Sequence, residues 1–399
     1  MTIDKRTIDA LVKEHDSPVY YFDEDQFIAN YYTFEKSFTD IYSNYRVSYS
    51  YKTNYAPYIC RIVKGLGGYA EVVSDMELEI AREVGYPNRE IVYNGPCKGT
   101  LCESHILNGG ITNIDNFEEL KTVLAMAVQH PKDTYKFGLR VNIDIGQSFI
   151  SRFGIDECDL GTAFSMVRDI RNAEIVGLHC HIGRSRSREA WGIRIRKMLE
   201  LSDQFFQTPP DYLSLGSGMY GVMDEVLARQ FSKDIPSYQQ YAETVAGAMA
   251  GHFQGGKRPI LFTEPGTTLI NKYVSFITTV KAIKRIKGKT FIVLDGSKHN
   301  IGEICELKQL PVAIVHCGEH PETLIDADFV GYTCLEHDVL YRGFHGEIAV
   351  GDFIVFDNVG GYSNVSKPPF IMPNCAMVSS SGAVIKRRET VKEIICTYE

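Results

Sequence analysis

From about residue 46 onward, short apolar runs alternate with stretches whose apolar positions recur every three or four residues. The runs are Arg46–Lys52, Gly68–Ser74, Ile91–Asn94, Ile111–Asp115, Lys136–Asn142, Ile175–His181, Tyr212–Leu215 and Ile260–Glu264. Each reads as a strand. The stretches between them are amphipathic, as in Met76–Val84, which stops at Gly85, a usual residue just past a helix end. Eight strand–helix units predict a (β/α)₈ TIM barrel, an α/β architecture. A doubly wound open sheet is the competing arrangement, and the count of eight favours the barrel. After about residue 270 the pattern changes to strand-like runs with few helical stretches: Tyr273–Lys281, Thr290–Leu294, Val312–His316, Phe329–Tyr332, Phe353–Asp357 and Ala376–Ser379. Turn signals such as Lys287-Gly288-Lys289 and Gly360-Gly361 separate them. The expectation is a barrel over 25–270 and a C-terminal all-β, β-barrel-like domain over 271–399. Residues 1–24 should contribute to the second domain, because Pro18–Phe22 is also strand-like.

Length agrees with two domains, since 399 residues exceed what one core usually serves. Net charge is −8, which argues against nucleic acid as a partner of the whole chain. No run of 18 apolar residues offers a membrane span, and Met1–Arg6 lacks the apolar stretch of a secretory signal. The ten cysteines are scattered without a C-x-x-C pair. That favours free thiols in a reducing cytoplasm over disulfides or a zinc site.

In such a barrel the chemistry sits where the strands end. Those ends read Lys52, Ser74, Asn94, Asp115, Asn142, His181, Gly216 and Glu264. Ser74 and Asp115 are explained as helix caps. Lys52 is costly to bury and needs a partner or a task, one such task being a Schiff base to an aldehyde cofactor. Gly177-Leu178-His179-Cys180-His181-Ile182-Gly183 places two histidines two residues apart, on one strand face. No further metal ligands accompany them. His179 reads as a hydrogen-bonded core residue, and His181 as a flat ring able to stack on a planar cofactor. Gly216, Ser217 and Gly218 open a glycine loop after the seventh strand, a common phosphate position in these barrels. The G-x-G-x-x-G spacing to Gly221 has no acid about 20 residues on, so a dinucleotide is disfavoured. Thr263-Glu264-Pro265-Gly266 puts a carboxylate on the last strand end, where it can keep a pyridine nitrogen protonated.

Together these residues resemble the alanine-racemase-like, fold-type III enzymes that use pyridoxal 5'-phosphate, most closely the diaminopimelate and ornithine decarboxylase branch. Tyr51-Lys52-Thr53-Asn54 is similar to the cofactor-lysine motif, His179-Cys180-His181-Ile182-Gly183 to H-x-H-I-G, Gly216-Ser217-Gly218 to the phosphate loop, and Glu264-Pro265-Gly266 to E-P-G. Val330-Gly331-Tyr332-Thr333-Cys334-Leu335-Glu336-His337-Asp338 resembles the β-domain cysteine motif, and Gly360-Gly361-Tyr362 stands where the family has G-A-Y. The resemblance implies that Lys52 bears the cofactor, His181 stacks on it, and Glu264 charges its ring. It also implies that Gly216, Ser217, Gly218, Gly266 and Tyr362 bind the cofactor, and that Cys334 returns a proton to Cα. Arg184, Glu336 and Asp338 are the candidate substrate contacts. Cys334 and Tyr362 would come from a partner subunit, making a homodimer with shared active sites.

The predicted activity is decarboxylation of a small-molecule amino acid. A racemase of the same fold is disfavoured by Glu264, where racemases carry a basic residue. A non-catalytic regulatory homologue is disfavoured because Lys52 and Cys334 are present. Three departures bear on the substrate: Thr267 replaces the E-P-G-R arginine, Arg184 replaces a small residue, and Leu335 replaces an acid near a distal amine. They argue against lysine, ornithine and diaminopimelate and for a neutral or anionic distal end, as in a siderophore precursor or a carrier-tethered amino acid. The basic run Arg184, Arg186, Arg188, Arg194, Arg196 and Lys197 reads as a solvated helix face or an anion site at the barrel mouth.

Overall fold

The computed structural model describes residues 3–146, 150–231 and 234–398. The chain forms two compact units. One takes Tyr31–Tyr220 and Asp234–Gly266; the other takes the chain up to Asn30, the segment that starts at Gly221, and Thr267 onward.

The first unit is a closed barrel of eight parallel strands: β1 (Tyr45–Ser50), β2 (Tyr69–Val72), β3 (Ile91–Tyr93), β4 (Ile111–Ile114), β5 (Tyr135–Asn142), β6 (Ala173–His179), β7 (Tyr212–Ser214) and β8 (Ile260–Thr263). Each pairs with its sequence neighbour, and Leu261, Phe262 and Thr263 of β8 pair with Tyr45, Arg46 and Val47 to close the ring. Most strands end one or two residues earlier than the hydrophobic pattern suggests. The reason is local: polar residues past the ladder turn either to cap a helix or into the barrel's polar interior. Ser74 accepts from the Glu77 amide and so caps the helix Asp75–Glu83. Asp115 does not act as a cap. Asn116 takes that place, and the Asp115 carboxylate pairs with Arg140 at 3.1 Å.

The barrel interior is filled unevenly. Val92, Tyr212 and Phe262 pack with Tyr69, Ile111, Val176 and Ile260 in an apolar layer. Tyr212 fits because β5 and β6 place Gly138 and Gly177 against it, where a Cβ would overlap the phenol. Its hydroxyl donates to Asn113 Oδ1 at 2.8 Å, and from there toward the strand ends the interior is polar. On the outside, the helix Arg188–Phe205 begins at the cap Ser187 and buries Trp191, Arg194, Ile195 and Met198.

In the second unit Val19–Phe22 lies antiparallel to Val274–Ile286 and parallel to Ala376–Ser379, so the N-terminal segment returns to the β domain. Ile8, Val19, Ile277, Val355 and Val378 form part of its core. The hydrophobic pattern missed the strand Val339–Ile348, where Arg, His and two glycines at positive φ (Gly343 and Gly346) interrupt the alternation. Its pairing with Glu322–Val330 is correspondingly bulged. Among the described residues no helix is long and apolar enough to cross a membrane.

Candidate active site

Seven barrel strands, or the turns just past them, send polar groups to one buried cluster. Lys52 lies in the turn two residues past β1. Its Nζ donates to Ser50 Oγ at 2.7 Å and forms an ion pair with Glu71. Glu71, on β2, is buried and also accepts from Ser50 Oγ at 2.6 Å and Asn94 Nδ2 at 3.1 Å. Asn94, past β3, donates to Glu264 Oε1 at 2.9 Å, and Asn113 of β4 donates to Asn94 Oδ1 at 2.8 Å.

Glu264, just past β8, is 1% exposed and has a full set of donors. Ser214 Oγ of β7 approaches at 2.8 Å and His179 Nε2 of β6 at 3.1–3.2 Å. Burial alone would raise its pKa. The adjacent His179 imidazole and then His181 outweigh burial and hold the carboxyl well below the usual range. A buried carboxylate is thus kept ionised by design of its neighbours.

His181 lies beyond the strand, not on it. Its Nδ1 accepts from the Ser217 amide at 3.2 Å, which leaves the proton on Nε2. Burial pushes its pKa down to about 4 against the pull of Glu264, 3.7 Å away. His181 is therefore a neutral ring at ordinary pH, suited to lie on a flat, electron-poor partner. Both histidines approach the Glu264 carboxylate, but their exposure differs. His179 is 1% exposed and serves the carboxylate, whereas the His181 side chain keeps 24% exposure. Among the described residues no cluster of His, Cys, Asp and Glu forms a metal site.

Two close approaches bring the remaining segments together. Gly216 has φ 63°, and a Cβ there would stand 2.5 Å from the Cys180 carbonyl oxygen. Gly266 lets the Glu264 turn lie on the Lys52 turn, where a Cβ would overlap Thr53. A lysine amine, an ionised carboxylate, a neutral ring and a glycine loop thus converge at the ends of the strands.

This constellation has relatives. The description "Pyridoxal-dependent decarboxylase, pyridoxal binding domain" matches residues 24–271. The chain belongs to the pyridoxal-dependent decarboxylases. Diaminopimelate decarboxylase of Archaeoglobus fulgidus is 25% identical, over 99% of this chain and 96% of that protein. The L-glutamyl-[BtrI acyl-carrier protein] decarboxylase of Niallia circulans is 22% identical, over 100% of this chain and 97% of its own. The crystal structure of diaminopimelate decarboxylase from Methanocaldococcus jannaschii shares the fold, with a TM-score of 0.84 at 23% identity and coverage of 98% and 94%.

The decarboxylase is a carboxy-lyase that uses pyridoxal phosphate, and the observed residues fit that group. The cradle beside His181 has no room for a Cβ at Gly216, and amine and carboxylate are both present. His179 is the hydrogen-bonded core residue its position suggested, whereas sequence reasoning missed Glu71 and Ser214. Their signal was a single polar residue inside an otherwise apolar strand, which must face a polar interior or a ligand. It also misplaced Arg194, which is fully buried and is not part of a solvated face. The rest of the basic run divides. Arg188 pairs with Glu243 at 3.2 Å, Lys197 pairs with Glu157 at 2.7 Å, and Arg184 is exposed and lines a cavity.

In the β unit, Cys334, Glu336 and Tyr362 are exposed. Asp338 is buried. It accepts from Ser297 Oγ (3.1 Å), the Lys298 amide (2.8 Å), and the Thr333 amide and hydroxyl (3.2 and 2.6 Å). Its carboxylate braces the loop that carries Cys334.

Proposed function

We propose that the enzyme decarboxylates an amino acid whose distal end is neutral or anionic, best represented by an acidic amino acid tethered to a carrier. The observation that carries this reading is a cavity of about 480 Å³ that begins at His181 and has Arg184 in its wall. A guanidinium there suits a carboxylate, carbonyl or phosphate. Leu335 supports the reading, because it offers no charge to a distal ammonium, and burying one unpaired costs several kcal/mol. The Niallia relative, whose printed name gives an L-glutamyl group on an acyl-carrier protein as substrate, matches the whole chain.

In this reading Lys52 holds the cofactor, and Glu71 is the carboxylate placed to take the proton the ammonium must release before it can act as a nucleophile. His181 covers one face of the ring. Gly216, Ser217 and Gly218 receive the phosphate, with Gly266 and Tyr362 completing the cofactor contacts. Glu264 keeps the ring nitrogen protonated. Held by these residues, pyridoxal phosphate would supply the electron sink for the pair left at Cα on loss of CO₂. Cys334 then delivers a proton to Cα. Cys334 and Tyr362 belong to the partner in a homodimer, and Glu336 stands near the substrate's far end. The scattered thiols support a reducing cytoplasm as its compartment.

A second reading has its own support. Asp144 and Asp156 also line the cavity, and a distal ammonium would find carboxylates there. A panel separates the two: CO₂ release from glutamate and its carrier thioester or amide conjugates, against free lysine, ornithine and meso-diaminopimelate. The first group should be turned over with the higher kcat/KM, and Arg184→Ala should raise KM for it. Efficient turnover of the free diamino acids, unaffected by Arg184→Ala, would establish the second reading.

A further inference from the structure

Each carbonyl of residues 215–218 is tied by a donor. Arg194 Nη1 donates to the Leu215 and Ser217 carbonyls at 2.9 and 2.7 Å. The Glu264 amide donates to Gly216 O at 2.7 Å, and Trp191 Nε1 donates to Gly218 O at 3.0 Å. Arg194 Nη2 reaches the neighbouring turn as well, at Ile182 O, 2.8 Å away. A peptide's N–H points opposite to its C=O. Tying these four carbonyls therefore also fixes the orientation of the amides of residues 216–219, of which that of Ser217 donates to His181 Nδ1. A glycine loop whose backbone is fixed in this way can serve as an anion site.

Arg194 is fully buried, and its guanidinium lies 3.9 Å from the Trp191 ring centroid. Burial lowers its pKa only to about 10, so it stays charged at neutral pH. Its hydrogen bonds here end on neutral carbonyl oxygens. We infer that Arg194, with Trp191 beside it, is the positioning residue that gives the 215–218 loop its affinity for a phosphate, by fixing the loop's carbonyls and placing a positive charge behind it. The inference rests on the reading of that loop as the phosphate site. Arg194 does this from the side of the loop opposite the ligand, without touching it.

Trp191 is the chain's one tryptophan, so its fluorescence reports on this loop. The experiment titrates full-length protein, freed of cofactor by dialysis, with pyridoxal 5'-phosphate and with pyridoxal, which lacks the phosphate. Wild-type protein should bind the phosphorylated form more tightly. Arg194→Gln should weaken pyridoxal phosphate about tenfold or more and pyridoxal by less than about twofold, since hydrogen bonds to a charged group are worth that much. Equal losses for both ligands, or no loss, overturn the inference. If Arg194→Gln does not fold, Arg194→Lys carries the same test, because it keeps the charge but cannot fork to three carbonyls. Undiminished discrimination in that variant overturns the inference equally. A wild-type protein that binds both forms alike refutes the phosphate site itself, and that failure is distinguishable from the first.

Discussion

Glu77 shows how a single residue ties the site to stability. It is buried at the start of the helix Asp75–Glu83, where its Oε2 accepts from the Val73 amide at 2.8 Å. Burial pushes its pKa up to about 7, the Val73 amide opposes this, and the nearby Glu71 adds to it. The folded value thus lies above the unfolded one. The stability linked to the bound proton is present at low pH and is lost as pH rises through about 7. Glutamine mimics the protonated acid. Glu77→Gln should therefore match wild type in thermal melts near pH 5 and melt a few degrees higher above about pH 8. Parallel Tm curves across that range would show that the buried carboxyl is not what responds.

At the scale of elements, the site depends on segments that follow strands and pack tightly on one another. Gly218 has φ 100°, and a Cβ there would overlap the Ile182 carbonyl. Backbone cannot yield as a side chain can. Gly218→Ala should cost about 1–3 kcal/mol and weaken cofactor retention on gel filtration, because the loop must part from the turn after β6. Gly247, within the helix Tyr238–His252, provides the contrast. No heavy atom lies within 4 Å of its would-be Cβ. Gly247→Ala should raise stability by about 0.5–1 kcal/mol and leave retention unchanged. Denaturant melts and the absorbance of the eluted protein measure both quantities. If the two substitutions behaved alike, tight packing would not be what makes the loop.

For the whole molecule, the proposed homodimer makes a test that neither unit could pass alone. Lys52→Ala and Cys334→Ala should each be inactive, and their mixture should regain activity, because a mixed dimer rebuilds one intact site. No recovery while subunits demonstrably exchange would place both residues in one chain's site. Much of this architecture was legible in the sequence. Eight apolar runs gave the barrel because strand–helix alternation leaves few other closed arrangements, and the ordered motifs around Lys52, His181, Gly216 and Glu264 gave the cofactor class. The return of Val19–Phe22 to the β unit was legible for the same reason, as a strand that the barrel count did not need. Tertiary structure alone decided the partners. Glu71 and Ser214 look like stray polar residues, and the partner of His179 is unknown, until closure brings β2, β6 and β7 around one interior. Arg194 looks like one member of a basic run until packing shows which face of its helix is covered. Alternation along a chain records which side of an element is apolar, but a hydrogen bond between residues 85 apart, as between His179 and Glu264, exists only once the ring is closed.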